Sequence, residues 1–363
     1  MQEVEQGLVT PGRRLRRSRG LSKQTWTQIF VVVGSLAIYA LLVWTGTIEQ
    51  LLGGEITLDD LGAGFNTLTT IFLGIFIEAA AFLLLGVLMS AIIQVFITAD
   101  MLEQWVPKNR LGATLMGCMM GLIFPVCECG SVPAARRLMA KGAPVPLGVA
   151  FLLAAPVINP VVIASTWVAF GGDPWIVGGR IGLTILIASV IALVFSFHPK
   201  SRSLLAPAAL QATSAHQDCC APGVKTTWGE RGRAVAAHSS TEFFEMGQYV
   251  VLGAFLAALA QTVIPQELLL QIGGNPISSV LVMMLLALIL SICSTVDAFV
   301  ALSFATTFNT GAILAFLVFG PMIDIKAVLL FMSTFKRHAV VLLVTLATLL
   351  SFLTAVWINL NVG

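Results

Sequence analysis

Two short motifs carry the residue types that could do chemistry. The first is Cys127-Glu128-Cys129-Gly130, with two thiols one residue apart and a carboxylate between them. Pro125 and Gly130 break a helix there and free backbone groups for a ligand. Paired thiols suit a soft ion or a thiophilic species, whereas a hard cation prefers an all-oxygen site. Cysteines are also among the most buried residues and often merely pack. Glu128 weighs for function, because an ionisable residue inside an apolar segment is costly. The second motif is Cys293-Ser294-Thr295-Val296-Asp297: one thiol, two hydroxyls and a carboxylate. Ser294 and Thr295 can bond their own helix backbone; that explanation does not extend to Asp297.

Further candidates follow from helix breaks and isolated charges. Pro156, Asn159 and Pro160 interrupt one apolar run, and Pro321 with Asp324 interrupts another. Each proline removes a backbone hydrogen bond and exposes carbonyls. Lys326 is a nearby counter-ion for Asp324, although a spacing of two does not share a helical face. Glu78 lies within an apolar run, and Glu245 stands early in a comparable one, which makes both candidates for proton coupling. Gly117 and Gly121 form a small-residue pair suited to close helix packing. Cys219 and Cys220, next to His216 and Asp218 in a polar stretch, are a weak candidate for holding a soft metal.

The elements that must position these residues are transmembrane. Charged residues make up 10% of the 363-residue chain and hydrophobic ones 57%, against a charged share of roughly 25% in soluble domains. So few charges cannot cover a water-facing surface, and the expected class is an all-α polytopic membrane protein. Apolar segments run at about 26–46, 65–97, 111–127, 144–170, 175–197, 241–264, 276–292, 311–335 and 338–360. Residues 1–25 form a basic tail. With no A-x-A-like cleavage site following, 26–46 is expected to be an uncleaved first span whose N-terminal side is cytoplasmic. Residues 198–240 are the one long polar stretch and are expected to be a cytoplasmic linker. The six cysteines read as reduced thiols and not as a disulfide framework.

The chain repeats itself. Glu78, Gly86, Cys127, Pro156 and Asn159 match Glu245, Gly253, Cys293, Pro321 and Asp324 at offsets of 167, 167, 166, 165 and 165. Residues 65–197 and 241–360 therefore read as one unit twice. If all nine segments crossed fully, Arg136, Arg137, Lys141 and the linker cations would lie outside, against the positive-inside rule. If 111–141 is instead a re-entrant hairpin with Cys127 at its tip, these cations, Lys108, Arg110, Lys336 and Arg337 all fall inside. The acidic loop of Glu49, Glu55, Asp59 and Asp60 then falls outside. Only Arg180 and Lys326, both within apolar segments, escape the pattern. Each half then has three spans plus a hairpin, the second being about 276–309. The odd number of crossings inverts one half relative to the other, a recurrent transporter design.

The run CECGSVPAARRLMAKGAPVPLGVAFLLAAPVINPVVIAS, beginning at Cys127, resembles the bacterial predicted-permease family that includes the organoarsenical efflux permeases and the YraQ-like proteins. ICSTVDAFVALSF and GPMID in the second half resemble it too. The resemblance implies an inner-membrane permease and, by its arsenic-linked branch, efflux of a trivalent arsenic species. The resulting expectation is a secondary transporter, not an enzyme, without a Walker A motif or a cofactor. Its substrate site would comprise Cys127, Glu128, Cys129, Cys293, Ser294, Thr295, Asp297, Asn159 and Asp324. The basic flank Arg136–Arg137 would attract an anion from the cytoplasm. The expected partners are the bilayer and a small inorganic or organometalloid solute, with no nucleic acid. A membrane thiol oxidoreductase using Cys127 and Cys129, or a channel subunit, are the competing readings.

Overall fold

Apolar runs of this length must satisfy their backbone groups internally, which makes them helices. The computed structural model describes residues 58–96, 104–107, 109–124, 126–197, 204–206, 228–263 and 275–361. The expected basic tail and first span, and Cys219 and Cys220, lie outside these residues. Twelve helices are described: α1 (Leu58–Phe96), α2 (Arg110–Ile123), α3 (Glu128–Ala140), α4 (Val145–Ala154), α5 (Pro160–Ala169), α6 (Pro174–Phe197), α7 (Trp228–Val263), α8 (Pro276–Leu290), α9 (Asp297–Phe304), α10 (Thr310–Met322), α11 (Ile325–Thr334) and α12 (Arg337–Asn361). Beyond them an isolated bridge pairs Leu205 with Phe335.

Helix starts recur along the chain. The starts of α2, α4 and α5 recur at α8, α10 and α11, 165 or 166 residues later. Packing recurs as well: α2 lies on α4 and α6 as α8 lies on α10 and α12, and α4 lies on α6 as α10 lies on α12. Between the halves, α3 packs on α11 and α9 on α5, while α1 meets α7 and α6 meets α12. The helix α7 begins at Trp228, well before the expected start at 241, because Glu230, Arg231, Arg233 and the alanines that follow are good helix formers.

Among the described residues, five stretches are long and apolar enough to cross a bilayer: Gly64–Ile93, Pro174–Phe197, Val235–Val263, Thr310–Thr334 and Arg337–Asn361. By contrast α2, with 14 residues, is only about 21 Å long, short of a hydrocarbon core of about 30 Å. The 13-residue α3 and the 8-residue α9 are shorter still. The helix breaks between α2 and α3 at Cys127, and between α8 and α9 at Cys293. Large apolar side chains face outward, including Ile77 and Leu84 on α1 and Leu353 and Trp357 on α12, while charged groups are drawn inward. This distribution is the reverse of a soluble protein's and fits lipid as the solvent.

Glycines set the closest approaches. A Cβ on Gly86 would overlap the Gly130 Cα, so α1 and α3 touch through their backbones. At the equivalent position in the second half, a Cβ on Gly253 would stand 2.8 Å from the Lys326 Cα. Gly117 and Gly121 do the same for α2 against α4, at Leu147 O and Ala155 Cα. Gly86→Ala is therefore expected to destabilise the protein by roughly 1–3 kcal/mol through overpacking. Gly74→Ala, with open space around it, should be neutral or stabilise by about 0.5–1 kcal/mol. Thermal unfolding of the two variants in detergent checks the contrast, and equal midpoints would remove the backbone contact as its cause.

Candidate functional site

Two helix starts bring the first motif to a point. Cys127 is the extended N-cap of α3 and Glu128 its first residue. Cys127, Glu128 and Cys129 are all buried. The two thiols lie within interaction range of each other. Glu128 Oε1 lies 3.8 Å from Nζ of Lys326, a residue of the other half, while Glu128 Oε2 is buried with no hydrogen-bond partner. Cys293, at the second turn, is within electrostatic reach of Glu128 and of Glu78. The tips of the two halves thus lie beside each other. Among the described residues, no group of three or more His, Cys, Asp or Glu converges closely enough to hold a metal ion.

Lys326 is the hub. Its Nζ donates to the Ser291 carbonyl at 2.7 Å and lies 3.5 Å from Asp324 Oδ2. The face rule for helical spacing does not govern the Asp324 pair, because Asp324 is the extended N-cap of α11 and stands outside the helix. Its carboxylate accepts from Ser291 Oγ and from the Ala327 amide. Ser291 ends α8 in the left-handed region (φ 48°), the one non-glycine residue with positive φ among those described. A serine there is strained by its Cβ, and its hydroxyl and carbonyl are both held by α11.

A second junction involves Arg180 of α6. Its guanidinium grips Asp297 with two hydrogen bonds, at 3.0 and 2.6 Å, the bidentate geometry that arginine offers a carboxylate. It also donates to Thr166 Oγ1 at 2.7 Å and to the Ser294 carbonyl at 3.4 Å. Arg180 and Lys326 are each 2% exposed, and Asp297 3%. Ions so buried survive only when paired within the protein. Ser294 Oγ is buried without a partner, while Thr295 Oγ1 donates to Cys293 Sγ at 3.4 Å.

The remaining expected residues fall in two places. Asn159 caps α5, accepting from the Val161 amide at 3.0 Å, as Asp324 caps α11. Glu78, half-buried on α1, is within electrostatic reach of Glu128 and Lys326. Glu245 is apart from the tips and pairs with Arg136 at 3.0 Å. Beside it Glu242 accepts from Ser90 Oγ at 2.8 Å and pairs with Arg137 at 3.3 Å. Arg136 and Arg137 are therefore not loop cations or an open anion-attracting flank; they are buried on α3 and matched by carboxylates of α7. The sequence reading missed Ser291, Glu242 and Ser90. In the sequence Arg180 stands out only as an exception to the charge pattern, and Lys326 both as an exception and as a counter-ion for Asp324; those exceptions are the usable signal.

An apolar-faced helical bundle with ion pairs sealed inside is a multi-pass membrane protein. Residues 64–360 match the ArsP_1 family, described as a predicted permease, and the chain belongs to that family. It is similar to the UPF0718 protein YcgR of Bacillus subtilis (strain 168), 44% identical over 283 residues, covering 78% of this chain and 94% of that one. It is also similar to a putative two-component membrane permease complex subunit of Streptococcus mutans serotype c, 36% identical over 280 residues, covering 77% and 91%. No solved structure matches. Family and fold together indicate a membrane permease, that is, a transporter.

Removing Asp297 leaves a buried guanidinium unpaired, so Asp297→Ala should cost about 3–5 kcal/mol of stability. The double variant Arg180→Met/Asp297→Leu should recover most of that loss. Denaturation in detergent measures both, and a double variant no more stable than Asp297→Ala would refute the pairing as the cause.

Proposed function

We propose that this permease is a secondary transporter of the bacterial inner membrane that exports a soft, thiophilic solute such as a trivalent arsenic species. The observation that carries this reading is the buried pair Cys127 and Cys129, within interaction range of each other, with Cys293 in electrostatic reach of Glu128 between them in sequence. A trivalent arsenic hydroxide condenses with thiols, exchanging As–O for As–S bonds and releasing one water per thiol. Two thiols one residue apart suit a species with two exchangeable hydroxyls, such as methylarsenite.

The transport design is an inverted repeat in which each half has three spans and a re-entrant hairpin, α2–α3 and α8–α9. Arms too short to cross the bilayer support it, as does the recurrence of element order. The N-terminus is cytoplasmic, and rocking of one half against the other alternates access to the tips. Glu78, near Glu128 and Lys326 without an ion-pair partner among the described contacts, is the candidate for proton coupling. Glu245 is engaged by Arg136 and is the weaker one. The relative named as a subunit of a two-component complex supports a second membrane protein as partner. The C-x-C pair of thiols also suits a dithiol–disulfide cycle; trapping a 127–129 disulfide during turnover would favour that oxidoreductase reading.

Uptake of methylarsenite and arsenite into everted vesicles tests the substrate. Wild type is expected to accumulate at least one of them, and Cys127→Ser/Cys129→Ser to fall to background. If no thiophilic species moves, or the double variant transports normally, the proposal fails. Glu78→Gln should abolish accumulation driven by a pH gradient while leaving exchange of solute across the membrane intact; unchanged accumulation would dismiss the coupling role.

A further inference from the structure

We infer that the tip site admits neutral or cationic solutes and rejects oxyanions, and that Glu128 sets this selection. The inference rests on the reading that solute reaches Cys127 and Cys129. Three carboxylates, Glu78 on α1, Glu128 on α3 and Asp324 at the start of α11, share the site with one ammonium, Lys326. Their formal sum is two negative charges.

Neither of the buried cations beside the two motifs, Lys326 and Arg180, is free to bind an anion. Lys326 has three donors, and its Nζ already faces the Ser291 carbonyl, Asp324 and Glu128. Both terminal nitrogens of Arg180 are engaged by Asp297, Thr166 and Ser294, and its unpartnered Nε is sealed from solvent.

The helix termini are closed to anions too. A helix N-terminus is a ready anion site, because its free amides and dipole favour negative charge. Four such termini begin at the motifs and breaks, and each carries its own acceptor residue. Glu128 opens α3 and Asp297 opens α9, while Asn159 caps α5 and Asp324 caps α11.

Of the site's two buried carboxylates, Glu128 and Asp324, Glu128 is the less compensated. Asp324 accepts from a hydroxyl and an amide. Glu128 has only a 3.8 Å contact to Lys326, and its other oxygen is buried without a partner. It stands between the two thiols in sequence and within reach of Cys293. A negative group approaching the thiols therefore meets a like charge in a low-dielectric setting, where repulsion at a few ångströms is strong.

The test compares thiol modification rates in proteoliposomes holding the full chain, with Cys118, Cys219 and Cys220 replaced by serine. The probes are three methanethiosulfonates: neutral methyl, cationic trimethylammonioethyl and anionic sulfonatoethyl. Each rate is normalised to that reagent's rate with 2-mercaptoethanol. The expected cation-to-anion ratio at Cys127 is at least about tenfold above the reference, and Glu128→Gln lowers it by about tenfold. A wild-type ratio at or below the reference, or a ratio untouched by Glu128→Gln, overturns charge selection while leaving the thiol site standing. If none of the three reagents modifies a tip thiol, solute access fails, and the proposed function fails with it. The wild-type ratio decides the matter even if the variant does not fold.

Discussion

The ammonium of Lys326 is buried in a molecule whose outer surface is fit for lipid, so every partner it has must come from the protein. It finds three: a backbone carbonyl at the end of α8, the cap of its own helix, and Glu128 at the tip of the other half. One nitrogen thereby ties both polar tips to the break between α10 and α11. Other features serve that arrangement. Gly253 lets α7 pass against the Lys326 backbone, Gly86 lets α1 pass against Gly130, and Ser291 accepts a strained conformation to aim its carbonyl at Nζ.

The same logic recurs wherever charge crosses between the halves. Arg136, Arg137 and Arg180 of the first half face Glu245, Glu242 and Asp297 of the second, and Lys326 of the second faces Glu128 of the first. Buried ion pairs add little net stability over apolar packing, but breaking one partner is expensive. In lipid, where no hydrophobic force drives helix against helix, such pairs specify which faces meet. A transporter that rocks its halves would have to keep or exchange these contacts as a set.

Much of this was legible in the sequence because lipid enforces strong rules. Every apolar segment within the described residues became helix, and the breaks fell at Asn159 and Asp324, where proline and a capping side chain mark them. The motif residues Cys127, Glu128, Cys129 and Cys293 were brought near one another. What could not be read was pairing between residues more than a hundred positions apart. Arg180 with Asp297, and Lys326 with Glu128, depend on how the halves dock, which no local pattern encodes. Arg136 and Arg137 look like loop cations because charge counts ignore burial; their carboxylate partners Glu245 and Glu242 lie on α7, at the start of a segment read as an apolar span. Ser291 gave no signal, since a left-handed serine is set by its partners and not by its own propensity.

The junction between the tips is best tested by a double-mutant cycle of Glu128→Gln and Lys326→Met on the thermal stability of the purified protein. Contact across the halves predicts that the two losses fail to add, with a coupling of roughly 0.5–3 kcal/mol. Strict additivity would mean that Lys326 and Glu128 do not meet, and the joined-tip architecture would then be wrong.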